Sequence, residues 1–177
     1  EDEAFPPTLS NSFGVPAHDW WVWDEPYKIT YTEYVHNQAG KDAGVYSVNN
    51  VLNRSHIFDN LKPGWKAAVI AHYGAIAVAE YQAGIGEARM GRFGRAAAWR
   101  NMATYGTLDE TRHGQLQTYI PYQALAKEPR LDWAHKAYHT NEWGIIAARH
   151  LFDDMFTAND AVSTAIQLTF TFETGFT

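Results

Sequence analysis

Asp109-Glu110-Thr111-Arg112-His113 sets an acid and an imidazole three residues apart. On a helix that spacing puts Glu110 and His113 on one face, where both can bind one ion. A hard carboxylate and an imidazole together suit iron, manganese or zinc. The stretch lies in a run that reads as a helix over about residues 103–119, stopped near Pro121. Glu-x-x-His alone is a weak signal, and the chain itself makes the point. Glu33-Tyr34-Val35-His36 has the same spacing, and Asp132-Trp133-Ala134-His135 is a looser look-alike. The segment around Glu33 and His36, residues 30–38, is polar and short, which marks that pair as surface or structural.

Two other acids stand in apolar surroundings. Glu80 sits in Ala75-Ile76-Ala77-Val78-Ala79-Glu80-Tyr81, and Glu173 in Leu168-Thr169-Phe170-Thr171-Phe172-Glu173. Burying a carboxylate without a partner costs several kcal/mol or forces it to protonate. Around Glu80 the helix offers only Lys66 and Arg89, each more than two turns away. After Arg149 the chain has no Lys or Arg at all. A metal cation would satisfy both acids; a base from elsewhere in the fold, or a route to the surface, would serve as well.

The rest of the chain supplies the frame. From Pro63-Gly64 onward, residues 65–90 form a long helix candidate that is apolar on nearly every face, the pattern of a helix buried in a larger bundle. A loop through residues 95–100 precedes the helix of the Glu-x-x-His. Residues 132–156 give a third helical stretch, broken near His139-Thr140-Asn141, and Asn159-Asp160 caps a fourth over 161–177. Upstream, residues 1–27 hold four prolines and the cluster Trp20-Trp21-Trp23, which predicts an extended aromatic arm. Short helices are expected near 32–39 and 47–61. Four long helices with little strand signal predict an all-α bundle, with residues 1–62 as arm and short helices and 63–177 as the bundle proper. The apolar stretch 161–176 stops without a basic last turn or polar tail, so the domain is expected to continue beyond residue 177.

Composition narrows the partners. The 177 residues are 46% hydrophobic and 19% charged, a globular balance. A net charge of -6 offers no basic stripe for phosphates, so no nucleic acid is expected. No segment reaches the roughly 18 apolar residues of a membrane span, and residues 1–7 lack the charged start and apolar run of a signal peptide. With no cysteine, thiolate metal sites and cysteine nucleophiles are excluded. A cytoplasmic location fits these features, as does secretion without disulfides.

Ferritin-like di-iron and di-manganese bundles take a Glu from each of two helices and a Glu-x-x-His from each of two others. Glu80, Glu110/His113 and Glu173 match three of those four helices in chain order. Asp24-Glu25-Pro26-Tyr27-Lys28, Lys41-Asp42-Ala43-Gly44, His72-Tyr73-Gly74-Ala75-Ile76-Ala77-Val78, Arg112-His113-Gly114-Gln115-Leu116-Gln117 and Phe172-Glu173-Thr174-Gly175-Phe176-Thr177 extend the match over nearly the whole chain. Through these blocks the sequence resembles the large (alpha) subunit of bacterial multicomponent monooxygenase hydroxylases, closest to the toluene and alkene/isoprene branch. The resemblance implies a ferritin-like di-iron bundle that is incomplete here, with two iron ions as cofactor. Glu80, Glu110 and His113 would bind one iron and Glu173 the other, beside a Glu-x-x-His that this chain lacks.

By the same resemblance, Asp109 would orient a ligand histidine, and Thr177 would be an active-site threonine handling protons or hydrogen bonds. Ile76, Ala83, Gln117, Phe152 and Phe172 would line the substrate pocket; ordinary core packing is the competing reading for these. The implied reaction inserts one atom of O2 into an aromatic ring or across an alkene, such as toluene, phenol or isoprene. Electrons would come from NADH through a reductase and a Rieske ferredoxin. Beta and gamma hydroxylase subunits and a small effector protein would complete the system. A stand-alone ferritin-like di-iron oxidase or iron-binding protein, and a non-catalytic helical subunit, remain as alternatives.

Overall fold

The computed structural model describes residue 24 and residues 28–94, 96–158 and 160–176. The expected aromatic arm therefore lies largely outside the described residues, as does Thr177. Among them the order is α1 (Tyr31–Arg54), α2 (Ile57–Asn60), α3 (Pro63–Phe93), α4 (Ala97–Leu125), a 3-10 turn (Pro129–Leu131), α5 (Ala134–Ala137), α6 (Trp143–Thr157) and α7 (Ala161–Ala165). α7 runs on as a π-helical segment, Ile166–Phe176. No strand occurs among the described residues, so the all-α expectation holds.

α1 corrects the expectation of two short helices. It starts at a capping box: Thr30 Oγ1 accepts from the Glu33 amide at 3.2 Å, and the Glu33 carboxylate accepts from the Thr30 amide at 2.9 Å. Gly40 and Gly44 weaken the middle by about 1 kcal/mol each relative to Ala. The helix runs through them because Tyr34, Gln38 and Asn49 face inward and are buried. Tertiary packing overrides the local propensity.

α3 carries Pro63 in its first turn, where a missing amide does no harm. Beyond its cap residue Gly94, α4 begins at Ala97, inside the stretch expected to be loop. It also continues past Pro121, which was expected to stop it. Two amides from α1 secure the turn beyond the proline: Asn49 and Asn53 both donate to Gln123 Oε1, at 2.8 and 2.6 Å.

α3 and α4 form the central antiparallel pair. Their backbones close up at glycines: a Cβ on Gly84 would lie 3.3 Å from the Glu110 Cβ, and one on Gly106 would lie 2.6 Å from the Glu87 carboxyl carbon. The core sits to one side of this pair. It joins Ala79, Ala83 and Met90 of α3, Ala103 of α4, Tyr138 just after α5, Phe152 and Met155 of α6, and Leu168 and Phe172. The Phe152 and Phe172 rings meet edge-on at 5.0 Å. α3 is not buried all round, since Tyr81 and Ile85 remain exposed on its far side.

The fourth helix starts as read, with Asp160 as the cap accepting from the Ser163 amide at 2.8 Å. Its change to π geometry departs from the plain helix expected there. Thr174 Oγ1 donates to the Phe170 carbonyl at 2.6 Å, using an acceptor that the Thr174 amide would take in an α-helix. The apolar setting of Glu173 also misleads: Phe172 turns fully inward, but Thr169, Phe170, Thr171, Glu173 and Thr174 are exposed. None of the helices described is long and apolar enough to cross a membrane.

Candidate metal centre

The α3–α4 seam brings one buried acid from each helix together, beside a half-buried histidine. Glu80 is 6% exposed and Glu110 8%. His113, one turn beyond Glu110, points its Nδ1 at both, 3.8 Å from Glu80 Oε2 and 3.7 Å from Glu110 Oε2. Ligand atoms of all three residues lie within 4.8 Å of one another. Those two carboxylate oxygens are buried and accept no hydrogen bond from the described residues. Orphaned buried acceptors converging on a ring nitrogen are what a bound cation would relieve. The donor set of two carboxylates and an imidazole fits a single first-row ion such as iron.

The electrostatics agree with the crowding. Burial pushes the Glu80 carboxyl up to about 9, helped by the close approach and charge of Glu110 and the charge of Glu173, against a hydrogen bond from Gln117. Gln117 Nε2 donates to Glu80 Oε1 at 2.6 Å. Glu173 stands outside the three-residue cluster, yet partial burial and the Glu110 charge raise its carboxyl, and His113 lowers it.

The residues expected to line a pocket divide. Ala83, Phe152 and Phe172 belong to the packed core, Gln117 holds Glu80, and Ile76 lines an apolar cavity of about 650 Å³ with Ala75, Ala79, Tyr138 and Trp143. Ala79 and Tyr138 belong to both the core and this cavity. Asp109 accepts from Tyr34 Oη at 2.9 Å and Gln38 Nε2 at 2.6 Å, both on α1. Among the described residues the look-alike pairs are brought to no cluster: Glu33 serves as a helix cap, His36 is exposed, and His135 lies 3.7 Å from Asp132 on the surface.

Glu87 escaped the sequence reading. Its carboxyl group lies over Gly106, one turn from Glu110, and is raised to about 8 by burial and the charges of Glu110, Glu173 and Asp109. The available clue was spacing, since residues seven apart share a helical face and Glu87 follows Glu80 by that interval.

A helical bundle that gathers carboxylates and an imidazole at an interhelical seam has the architecture of the ferritin-like class. The family described as Methane/Phenol/Alkene Hydroxylase matches residues 1–177, and the chain belongs to that family. The alpha subunit of the oxygenase component of the alkene monooxygenase system of Xanthobacter autotrophicus (strain ATCC BAA-1158 / Py2) is 36% identical over 174 residues, 98% of this chain and 35% of that protein. The oxygenase component DmpN of phenol 2-monooxygenase from Pseudomonas sp. (strain CF600) is 26% identical over 160 residues, 89% of this chain and 30% of that protein. The chain thus spans about a third of the length of the curated relatives it matches.

Proposed function

We propose that the chain is part of the oxygenase component of an NADH-dependent multicomponent monooxygenase that hydroxylates an aromatic or epoxidises an alkene. The observation that carries this reading is the convergence of Glu80, Glu110 and His113, with two buried oxygens unpartnered. Membership of a family that includes alkene and phenol oxygenase components supports the reaction class. When bound, a di-iron centre supplies the electrons that reduce O2.

Glu80, Glu110 and His113 would hold one iron, and Glu173 would contribute to the other. Gln117 orients the Glu80 carboxylate by donating to one of its oxygens. The packed rings of Phe152 and Phe172 and the methyl of Ala83 keep water from that side of the seam. The apolar cavity beside Ile76 and Ala79 suits a small hydrophobic substrate better than a polar one. Thr177 is proposed as the hydroxyl that hands protons within the site. Beta and gamma subunits, an effector protein, a Rieske ferredoxin and a reductase would complete the system, in the cytoplasm.

The test is the full-length protein assembled with its partner subunits, supplied with NADH, the electron-transfer proteins and labelled O2. One labelled oxygen atom per product, with two irons per large subunit, is the expected result. Iron without oxygen transfer would favour an iron-binding or oxidase role, and absence of both would favour a non-catalytic subunit. Completion of the site by Glu33 and His36 has no support, because Glu33 is engaged in capping and His36 faces solvent.

A further inference from the structure

α1 meets α4 along one stripe of side chains. Tyr34, Gln38 and Asp42 are spaced four residues apart and therefore share a face. Tyr34 and Gln38 both donate to the same oxygen of Asp109, Oδ1, at 2.9 and 2.6 Å. Asp42 Oδ1 accepts from Arg112 Nη1 at 2.8 Å. The other terminal nitrogen of Arg112 lies 3.8 Å from Asp109 Oδ1 and 3.3 Å from His113 Nε2.

Asp109 and Arg112 are the immediate neighbours of Glu110 and His113 along the chain. Holding the first pair fixes the rotation of α4 that sets the second pair toward Glu80. The Arg112 contact falls on Nε2, and the ring then offers Nδ1 to the two carboxylates. Tyr34 is 9% exposed and Gln38 8%, so their bonds to Asp109 compete little with water. The far end of α1 is tied separately, through Asn49, Asn53 and Gln123.

We propose that Tyr34, Gln38 and Asp42 are positioning residues of the metal centre, acting through Asp109 and Arg112 on Glu110 and His113. The proposal rests on the functional reading above and adds α1 to the machinery of the site. Groups that orient metal ligands typically change metal affinity or activity by about 10- to 100-fold when removed. The same loss is expected here, although none of the three residues would touch the ion.

The experiment compares variants of the full-length assembled protein by ferrous affinity, from chelator competition, and by the melting temperature of the metal-free form. Tyr34→Phe with Gln38→Leu, and separately Asp42→Asn, should weaken iron binding by about 10-fold or more. Asn49→Ala cuts an α1–α4 bond at the far end; it should lower the melting temperature yet leave iron affinity within about twofold, the contrast a positioning role requires. Where the double variant does not assemble, Tyr34→Phe alone removes a single oxygen and is the probe. Iron affinity that merely follows melting temperature across all variants, Asn49→Ala included, would overturn the proposal. So would unchanged affinity in the stripe variants. Wild-type protein without iron would sink the functional reading, and the positioning role with it; iron-loaded wild type with indifferent stripe variants sinks the positioning role alone.

Discussion

Glu80→Gln separates a metal ligand from a structural anion, because the two roles predict opposite effects on the metal-free protein. At 6% exposure, with its carboxyl raised to about 9, Glu80 is protonated at pH 7 when no ion is bound. In the unfolded chain, with a value near 4.5, it is ionised at that pH. The unfolded state therefore gains about 1.4 kcal/mol for each of the roughly 2.5 pH units between 4.5 and 7, an upper bound of about 3.5 kcal/mol against folding. An amide forfeits that gain in the unfolded state. It keeps an oxygen for Gln117 and offers Glu110 an N–H. Metal-free Glu80→Gln should thus be more stable than wild type at pH 7, by about 1–3 kcal/mol in urea unfolding of the full-length protein. The same variant should lose most of its iron, since a neutral amide is a poor substitute for a bound carboxylate. Destabilisation of the metal-free form by more than about 2 kcal/mol would show a buried ion pair instead of a ligand, and refute the reasoning.

Three further outcomes follow from the geometry. Glu80 and Glu87, raised to about 9 and about 8, bind protons in the folded state that the unfolded chain has already lost. Their contribution is therefore fully present below about pH 4.5 and is lost as pH rises through 8 to 9, so the metal-free melting temperature should fall between about pH 5 and 9; a rise over that window would contradict it. Gly84→Ala gains about 1 kcal/mol of helix propensity but forces a methyl to 3.3 Å from the Glu110 Cβ, which is fixed to the α4 backbone. With overpacking at about 1–3 kcal/mol, the net should be a loss of about 0–2 kcal/mol together with weaker iron binding; a stabilised variant with full iron would exclude the close seam. Glu33→Gln should loosen the start of α1 slightly and leave iron content unchanged, and loss of iron there would return that pair to the site.

The legible parts of the sequence were those where chemistry and period coincide. Glu80 stood out because an acid that follows Ala77, Val78 and Ala79 has no local remedy, and Glu110 with His113 because helical spacing makes them one site. The helical class was equally plain, and so was the Asp160 cap. Boundaries failed where tertiary contacts outweigh local preference: Gly40 and Gly44 did not break α1, and Pro121 did not end α4, because buried amides bind across the two helices. Glu173 shows the opposite error. Its neighbours are apolar, but the π-helical turn they occupy directs Phe172 into the core and leaves Glu173 exposed. The pairing of Asp109 with Tyr34 and Gln38 joins residues 75 and 71 positions apart, and no local pattern encodes it.

The two Glu-x-x-His pairs isolate what turns a spacing into a site. Glu33 and His36 share a face of α1, as Glu110 and His113 share a face of α4, so helical geometry does not distinguish them. Burial and approach do. At Gly84 the α3 backbone comes so near that the Glu110 side chain is shut from water, and the helix then supplies Glu80 one turn away. Two carboxyl groups in that space cannot both ionise cheaply, and the protein without an ion keeps one protonated. A cation would remove the conflict by replacing the proton, so the instability of the empty pair and the proposed affinity for an ion would have the same origin. Glu33, exposed and hydrogen-bonded to the Thr30 amide, has no such conflict for a metal to resolve.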